Sequence, residues 1–145
     1  MSLLVLAASA AMSVAGAPVH TVDLEHRGTT YRVDYRPHVE TRLRTIGMSA
    51  GPRQSTQQCV VDAHVTVERT ISGQPGASAH PGLKAMLPGR QTFRQHLPGS
   101  CHGRDAQQLA AAKSDAMRAH LTRAAAADRG HALAAIDSAH HFAAN

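Results

Sequence analysis

The 145-residue chain contains no tryptophan, only two tyrosines and two phenylalanines, and just two cysteines. So few aromatic rings offer no interleaved stacking surface, so nucleic acid is not an expected partner despite a formal charge of +5. The two cysteines, Cys59 and Cys101, are too far apart to form a Cys-x-x-Cys redox pair. No His-x-x-x-His or His-Glu-x-x-His pattern occurs, which removes the usual metalloprotease signatures. Large apolar side chains are scarce too. Beyond residue 17, Leu, Ile, Val and Phe number 21 of 128. A core that thin supports one small domain and excludes a multi-domain enzyme, a polytopic membrane protein and a large buried cofactor pocket.

Charge is missing from one stretch altogether. Residues 1–17 (MSLLVLAASAAMSVAGA) are apolar or small throughout, and Ala15-Gly16-Ala17 has the small-x-small form that signal peptidase accepts. The segment reads as a signal peptide, with cleavage before Pro18 or, as the alternative, after Ala15. A buried Ala-rich helix is the competing reading. Export places residues 18–145 in the periplasm or outside the cell as a single small domain. No segment of that mature chain is apolar over the length a membrane-spanning helix needs. In an oxidising compartment Cys59 and Cys101 are expected to pair, since each is the other's sole partner. Closing that loop stabilises by roughly 4 kcal/mol on a chain-entropy estimate.

Period-two alternation marks the strands. Val22 and Leu24 alternate with Asp23 and Glu25, His26-Arg27-Gly28 makes a turn with Gly28 at positive φ, and Tyr31, Val33 and Tyr35 alternate with Arg32, Asp34 and Arg36. This predicts a hairpin. After Pro37, Val39-Thr41-Leu43-Thr45 alternate with Glu40-Arg42-Arg44, as a third strand or a short helix. Residues 47–57 are a polar loop. Cys59, Val61, Ala63, Val65 and Val67, with Ile71 beyond, form the longest strand pattern, opposite Asp62, His64, Thr66 and Glu68. Residues 72–82 are a Gly/Pro loop, and the stretch between Leu87-Pro88-Gly89 and Leu97-Pro98-Gly99 fits one edge strand.

From Asp105 the composition turns to Ala with Gln, Lys and Arg, a helix former, opened by Asp105 and Gln108 in the spacing of a capping box. Leu109, Met117, Leu121 and Ala124 share a face, and Lys113 intrudes on it. Gly130 is expected to end or bend this helix, with a second one from His131 to about Phe142. The fold class is therefore α+β: a meander of four to five antiparallel strands covered on one face by one or two C-terminal helices, with one disulfide.

Eleven histidines are the compositional anomaly. His96 and His102 flank Cys101, and His140 and His141 adjoin near the end, so a zinc or copper site is one reading and scattered solvent-facing histidines the other. Ser100, Cys101 and His102 carry nucleophile and base letters but point apart on an extended chain. Arg32, Arg36, Arg42 and Arg44 are expected on one exposed sheet face, where an anionic envelope component or another envelope protein would bind. The expectation from sequence is a non-enzymatic binding or structural module of the envelope that needs no cofactor, with a metal-dependent hydrolase or metal-binding protein as the alternative.

Overall fold

The computed structural model describes residues 16–48, 51, 56–73 and 83–144. Strand β1 (His20–His26) and strand β2 (Thr29–Ile46) make the expected hairpin, in register from His20 opposite Tyr35 to His26 opposite Thr29. Both turn residues are left-handed, Arg27 at φ 52° and Gly28 at φ 77°. Such a turn matches the twist of the strands it joins. Sequence assigned positive φ to Gly28 alone. Arg27 adopts it with its guanidinium 3.0 Å from Asp137.

No separate strand begins after Pro37. β2 runs through the proline for 18 residues. Proline is tolerated because β1 ends opposite Tyr35, so that beyond this point one side of β2 is a sheet edge where a missing N–H breaks no ladder.

β3 (Gln58–Ser72) is the central strand. It pairs with β2 over its whole length, from Arg32 opposite Ser72 to Ile46 opposite Gln58. Its other side carries β4 (Lys84–Met86) and β5 (Gln91–Pro98), both antiparallel to it. Met86 stands opposite Glu68 and Gln91 opposite Val65, so residues 87–90 face only Thr66 and Val67. β4 and β5 are thus one strand interrupted by a bulge at Leu87-Pro88-Gly89. The Leu87 N–H still reaches the Val67 carbonyl at 2.8 Å, and Gly89 takes φ 100°. A shift of two residues leaves the alternation of faces unchanged. Of the expected loop at 72–82, Ser72 closes β3 and Gly73 follows it; residues 74–82, like 1–15, lie outside the described residues.

The helices depart from expectation. The chain forms α1 (Asp105–Ala112), breaks at Lys113, and then runs as one helix, α2 (Ser114–Ala143), straight through Gly130. The buried positions of α2 are Met117, Leu121, Ala125, Asp128, Ala132, Ile136 and Ala139. Their steps of three and four make a single stripe. A search for large apolar groups misses it, because its middle is built from alanines and an aspartate. Anchorage on both sides of exposed Gly130 offsets the roughly 1 kcal/mol that glycine costs inside a helix. There is no capping box either: Arg104 is the N-cap and makes no side-chain cap bond, while Asp105 Oδ2 accepts from the His102 N–H at 2.6 Å.

The break at Lys113 lets two helices cover two cores. α2 lies over Leu24, Tyr31, Val33, Tyr35, Val67 and Ile71, and Leu109 of α1 lies over Cys59, Val61 and Ala63. Cys59 is 0 % exposed and joined to Cys101, as expected. The result is a five-stranded antiparallel sheet with helices on one face, an α+β fold. No described helix is long and apolar enough to cross a membrane.

Candidate functional site

Alternation along the strands divides the sheet into a helix-covered face and an outer face. The outer face carries every even-numbered residue of β2 and β3, together with Lys84 and Met86 of β4 and Thr92, Arg94 and His96 of β5. All four predicted arginines, Arg32, Arg36, Arg42 and Arg44, lie on it and are exposed.

They do not act alike. Asp34 sits between Arg32 (Nε to Oδ1, 3.3 Å) and Arg36 (Nη2 to Oδ2, 3.8 Å), and also accepts from Thr21 Oγ1 at 2.7 Å. Glu68 is likewise flanked by His38 at 3.3 Å and Lys84 at 3.4 Å. This end of the face is locally neutralised. At the other end, cross-strand pairing lines up Arg42, Asp62 and Arg94 in one row and Arg44, Val60 and His96 in the next, with His64 beside them. Arg94 grips both oxygens of Asp62 through Nε and Nη2. No carboxylate of the described residues lies within 4 Å of a charged nitrogen of Arg42 or Arg44.

Three guanidinium groups and two imidazoles therefore gather around Asp62, with Glu40 opposite His64 at the margin. Beneath them Val60 is 1 % exposed although it faces outward. Its cross-strand neighbours Arg44 and His96 are long enough to cover it with their stems and rings. Such a surface can hold an anionic group by charge and by forked guanidinium donors.

The electrostatics are visible at Asp62. Its carboxyl is held below the usual aspartate range, first by the Arg94 hydrogen bond and further by the charges of Arg94, Arg44 and His64. A depressed carboxylate pKa adds stability above the ordinary aspartate value, and the contribution is lost as pH falls through the lowered one. Replacing Arg94 by Ser is expected to raise the Asp62 value toward the ordinary aspartate range. Carboxyl-carbon NMR titration measures this; an Asp62 curve identical in both proteins would contradict the assignment.

The other predicted site residues are dispersed. His96 is on β5, His102 is in the turn before α1, and His140 and His141 are near the end of α2. Among the described residues one group has three potential metal-ligand atoms within 4.8 Å, Cys59, Cys101 and Asp105, and its two sulfurs are already bonded to each other. His140 Nε2 shares a 2.7 Å hydrogen bond with the Tyr31 hydroxyl. Three residues earlier, Asp137 accepts from His26 at 2.8 Å and from Arg27, fastening α2 to the hairpin turn. A notch of about 440 Å³ lies between the start of β1 and α2, lined by Pro18, Val19, His20, Arg118, Leu121 and Thr122. It holds neither a carboxylate nor a thiol.

Sequence reading missed Arg94 and His64 as members of the cationic cluster. The alternation placed His64 on a strand face and Arg94 fell within the expected edge strand, but only the strand order puts β5 beside β3 and brings Arg94 across from Asp62. Compared with known protein families, curated proteins and solved structures, the chain has no significant match to any.

Proposed function

We propose that this chain is a small exported, non-enzymatic binding module of the cell envelope, which takes an anionic envelope component on the cationic end of its outer sheet face. The observation that carries this is the gathering of Arg42, Arg44, Arg94, His64 and His96 around the single carboxylate of Asp62. The disulfide and the charge-free leader-like residues 1–17 are what an oxidising, extracytoplasmic setting favours. In that compartment the abundant anions are lipid head groups and envelope polymers.

Co-sedimentation of the purified protein with vesicles of phosphatidylglycerol in phosphatidylcholine tests the reading. Binding is expected to fall steeply with salt, because exposed charges are screened beyond about 8 Å at physiological ionic strength. Arg42→Ser/Arg44→Ser is expected to weaken it about tenfold or more, at about 1 kcal/mol per basic residue near an anionic surface. Arg32→Ser/Arg36→Ser, which removes arginines already leaning on Asp34, is expected to cost less. Both doubles are outward-facing and should stay within about 0.5 kcal/mol per site of wild-type stability. Salt-insensitive binding, or equal effects of the two doubles, would overturn the proposal.

A further inference from the structure

β1 reaches along β2 only as far as His20 opposite Tyr35. Past that point no described strand pairs with β2 on the side away from β3, and residues 36–46 form an open edge eleven residues long. Long open edges are normally guarded, and this one carries Pro37 and several charges. The pattern of those charges is unlike a guard's.

Two copies of one strand can pair antiparallel about a two-fold axis perpendicular to the sheet, with residues that share a face opposite one another. The register that overlays the whole of 36–46 on itself is centred on Thr41. In it Glu40 stands opposite Arg42 of the second copy, and Arg42 opposite the second copy's Glu40. On the helix-side face Val39 meets Leu43, which is 41 % exposed. Ile46, 39 % exposed, comes beneath the stem of Arg36. Moving the centre to Glu40 or to Arg42 sets that residue against itself. The Thr41 register also ends cleanly: the position after Ile46 would face Tyr35, already occupied by His20, and there Gly47 turns the chain away at φ 92°.

The two outermost edges lack this property. Centred on Asp23, β1 would oppose Asp23 to itself, and β5 paired about its middle would oppose Arg94 to Arg94 or to His96. β2's register likewise opposes His38 to Arg44, but among the three edges it alone sets opposite charges against one another, in the two Glu40–Arg42 pairs.

We infer that the protein forms a two-fold dimer through β2 residues 36–46, joining two sheets into one of ten strands with all helices on the same side. The interface supplies an antiparallel ladder of backbone hydrogen bonds, less the one that Pro37 cannot donate in each copy, with the two Glu40–Arg42 pairs and burial of Val39 and Leu43. The inference shares Arg42 with the anionic-partner reading but does not depend on it, and its test uses no ligand.

The protein purified after export is examined by sedimentation over a range of concentrations. Wild type is expected to associate to a dimer. Glu40→Arg and Arg42→Glu, each of which turns two attractive pairs repulsive, are expected to weaken association at least about tenfold. Combining them restores the pairing with its signs exchanged, so recovery of the dimer in the double variant distinguishes register from misfolding. Thr41→Cys, sitting on the axis, is expected to give an interchain disulfide through position 41, and Thr45→Cys is not. A wild-type protein still monomeric at about 1 mM would overturn the inference, whether the edge were left open or covered by residues preceding His20. A dimer indifferent to both single charge reversals and not cross-linked through position 41 would overturn it equally.

Discussion

Asp128→Ala is expected to lower the free energy of unfolding by about 3 to 5 kcal/mol, the largest effect of any single side-chain truncation in this fold. Asp128 is 6 % exposed in the middle of α2, and its two oxygens accept from Arg69 Nη1 at 3.0 and 3.1 Å. The Tyr35 hydroxyl donates to Oδ2 at 3.1 Å. Arg69, 5 % exposed, points from β3 into the helix-covered core. Removing the carboxylate takes both of these hydrogen-bond acceptors from a guanidinium held in an apolar layer. Small domains hold about 5 to 15 kcal/mol in total, so chemical denaturation of this variant should begin at far lower denaturant. Tyr35→Phe removes one neutral donor and is expected to cost about 1 kcal/mol. Replacing both ions, as Arg69→Met/Asp128→Leu, should recover most of the loss, since the pair is worth less than the penalty for breaking it. A loss under about 1 kcal/mol for Asp128→Ala would show that water reaches Arg69.

The same triad sets the alkaline limit of the fold. Burial, followed by the adjacent Asp128 carboxylate, pushes the Tyr35 phenol well above the ordinary tyrosine range. A raised folded-state value means that the native state keeps a proton that the unfolded chain releases near pH 10, so stability is present below that pH and falls as pH rises past it. Ultraviolet titration should find Tyr35 un-ionised until the protein unfolds.

Reduction of the Cys59–Cys101 disulfide is expected to cost roughly 3 to 4 kcal/mol. The bond spans a sequence separation of 42 and ties the helix-side face of β3 to the segment entering α1. The cluster it joins is small: Cys59, Val61, Ala63 and Leu109, with Val39, Phe93, Leu97 and Cys101 packed against them. So few side chains cannot hold α1 down by burial alone. Cys59→Ala and Cys101→Ala should each lose about the same amount, and the double variant little more, because one bond is lost in all three. Thiol titration of the denatured, unreduced protein should detect none. Two reactive thiols, or a reduced protein as stable as the oxidised one, would refute this.

Strict alternation made β1, the first half of β2 and β3 legible in the sequence, because a side-chain period of two at a half-buried surface has one physical reading. The disulfide followed from having only two cysteines. What escaped notice was coded by exceptions. Arg69 falls on the apolar face of β3 between Val67 and Ile71, and Asp128 falls within the apolar stripe of α2 between Ala125 and Ala132. Each is a defect in its own pattern, and the two cancel in the fold. Tracing the helix by its large apolar groups, which passes over Asp128, also hid the continuity of α2 past Gly130. The bulge at residues 87–90 and the row from Arg42 through Asp62 to Arg94 depend on which strands are neighbours, which local periodicity does not encode. The four arginines share one exposed face as expected, but their division into a half neutralised by Asp34 and a half with no ion partner among the described residues needed the register.

The contacts that fasten α2 to the first hairpin span most of the chain. Tyr35 meets Asp128 across 93 positions, Tyr31 meets His140 across 109, and His26 meets Asp137 across 111. A growing polypeptide that has already completed its sheet strands still lacks the Asp128 carboxylate that pairs with Arg69 and the helix that covers Tyr31, Val33 and Tyr35. Loop closure over such distances is slow, and the hairpin gains its partner only when the last few turns of helix have been made. Completion of this core is thereby deferred until α2 has been made. A product truncated before residue 128 would keep its apolar sheet face open to proteolysis.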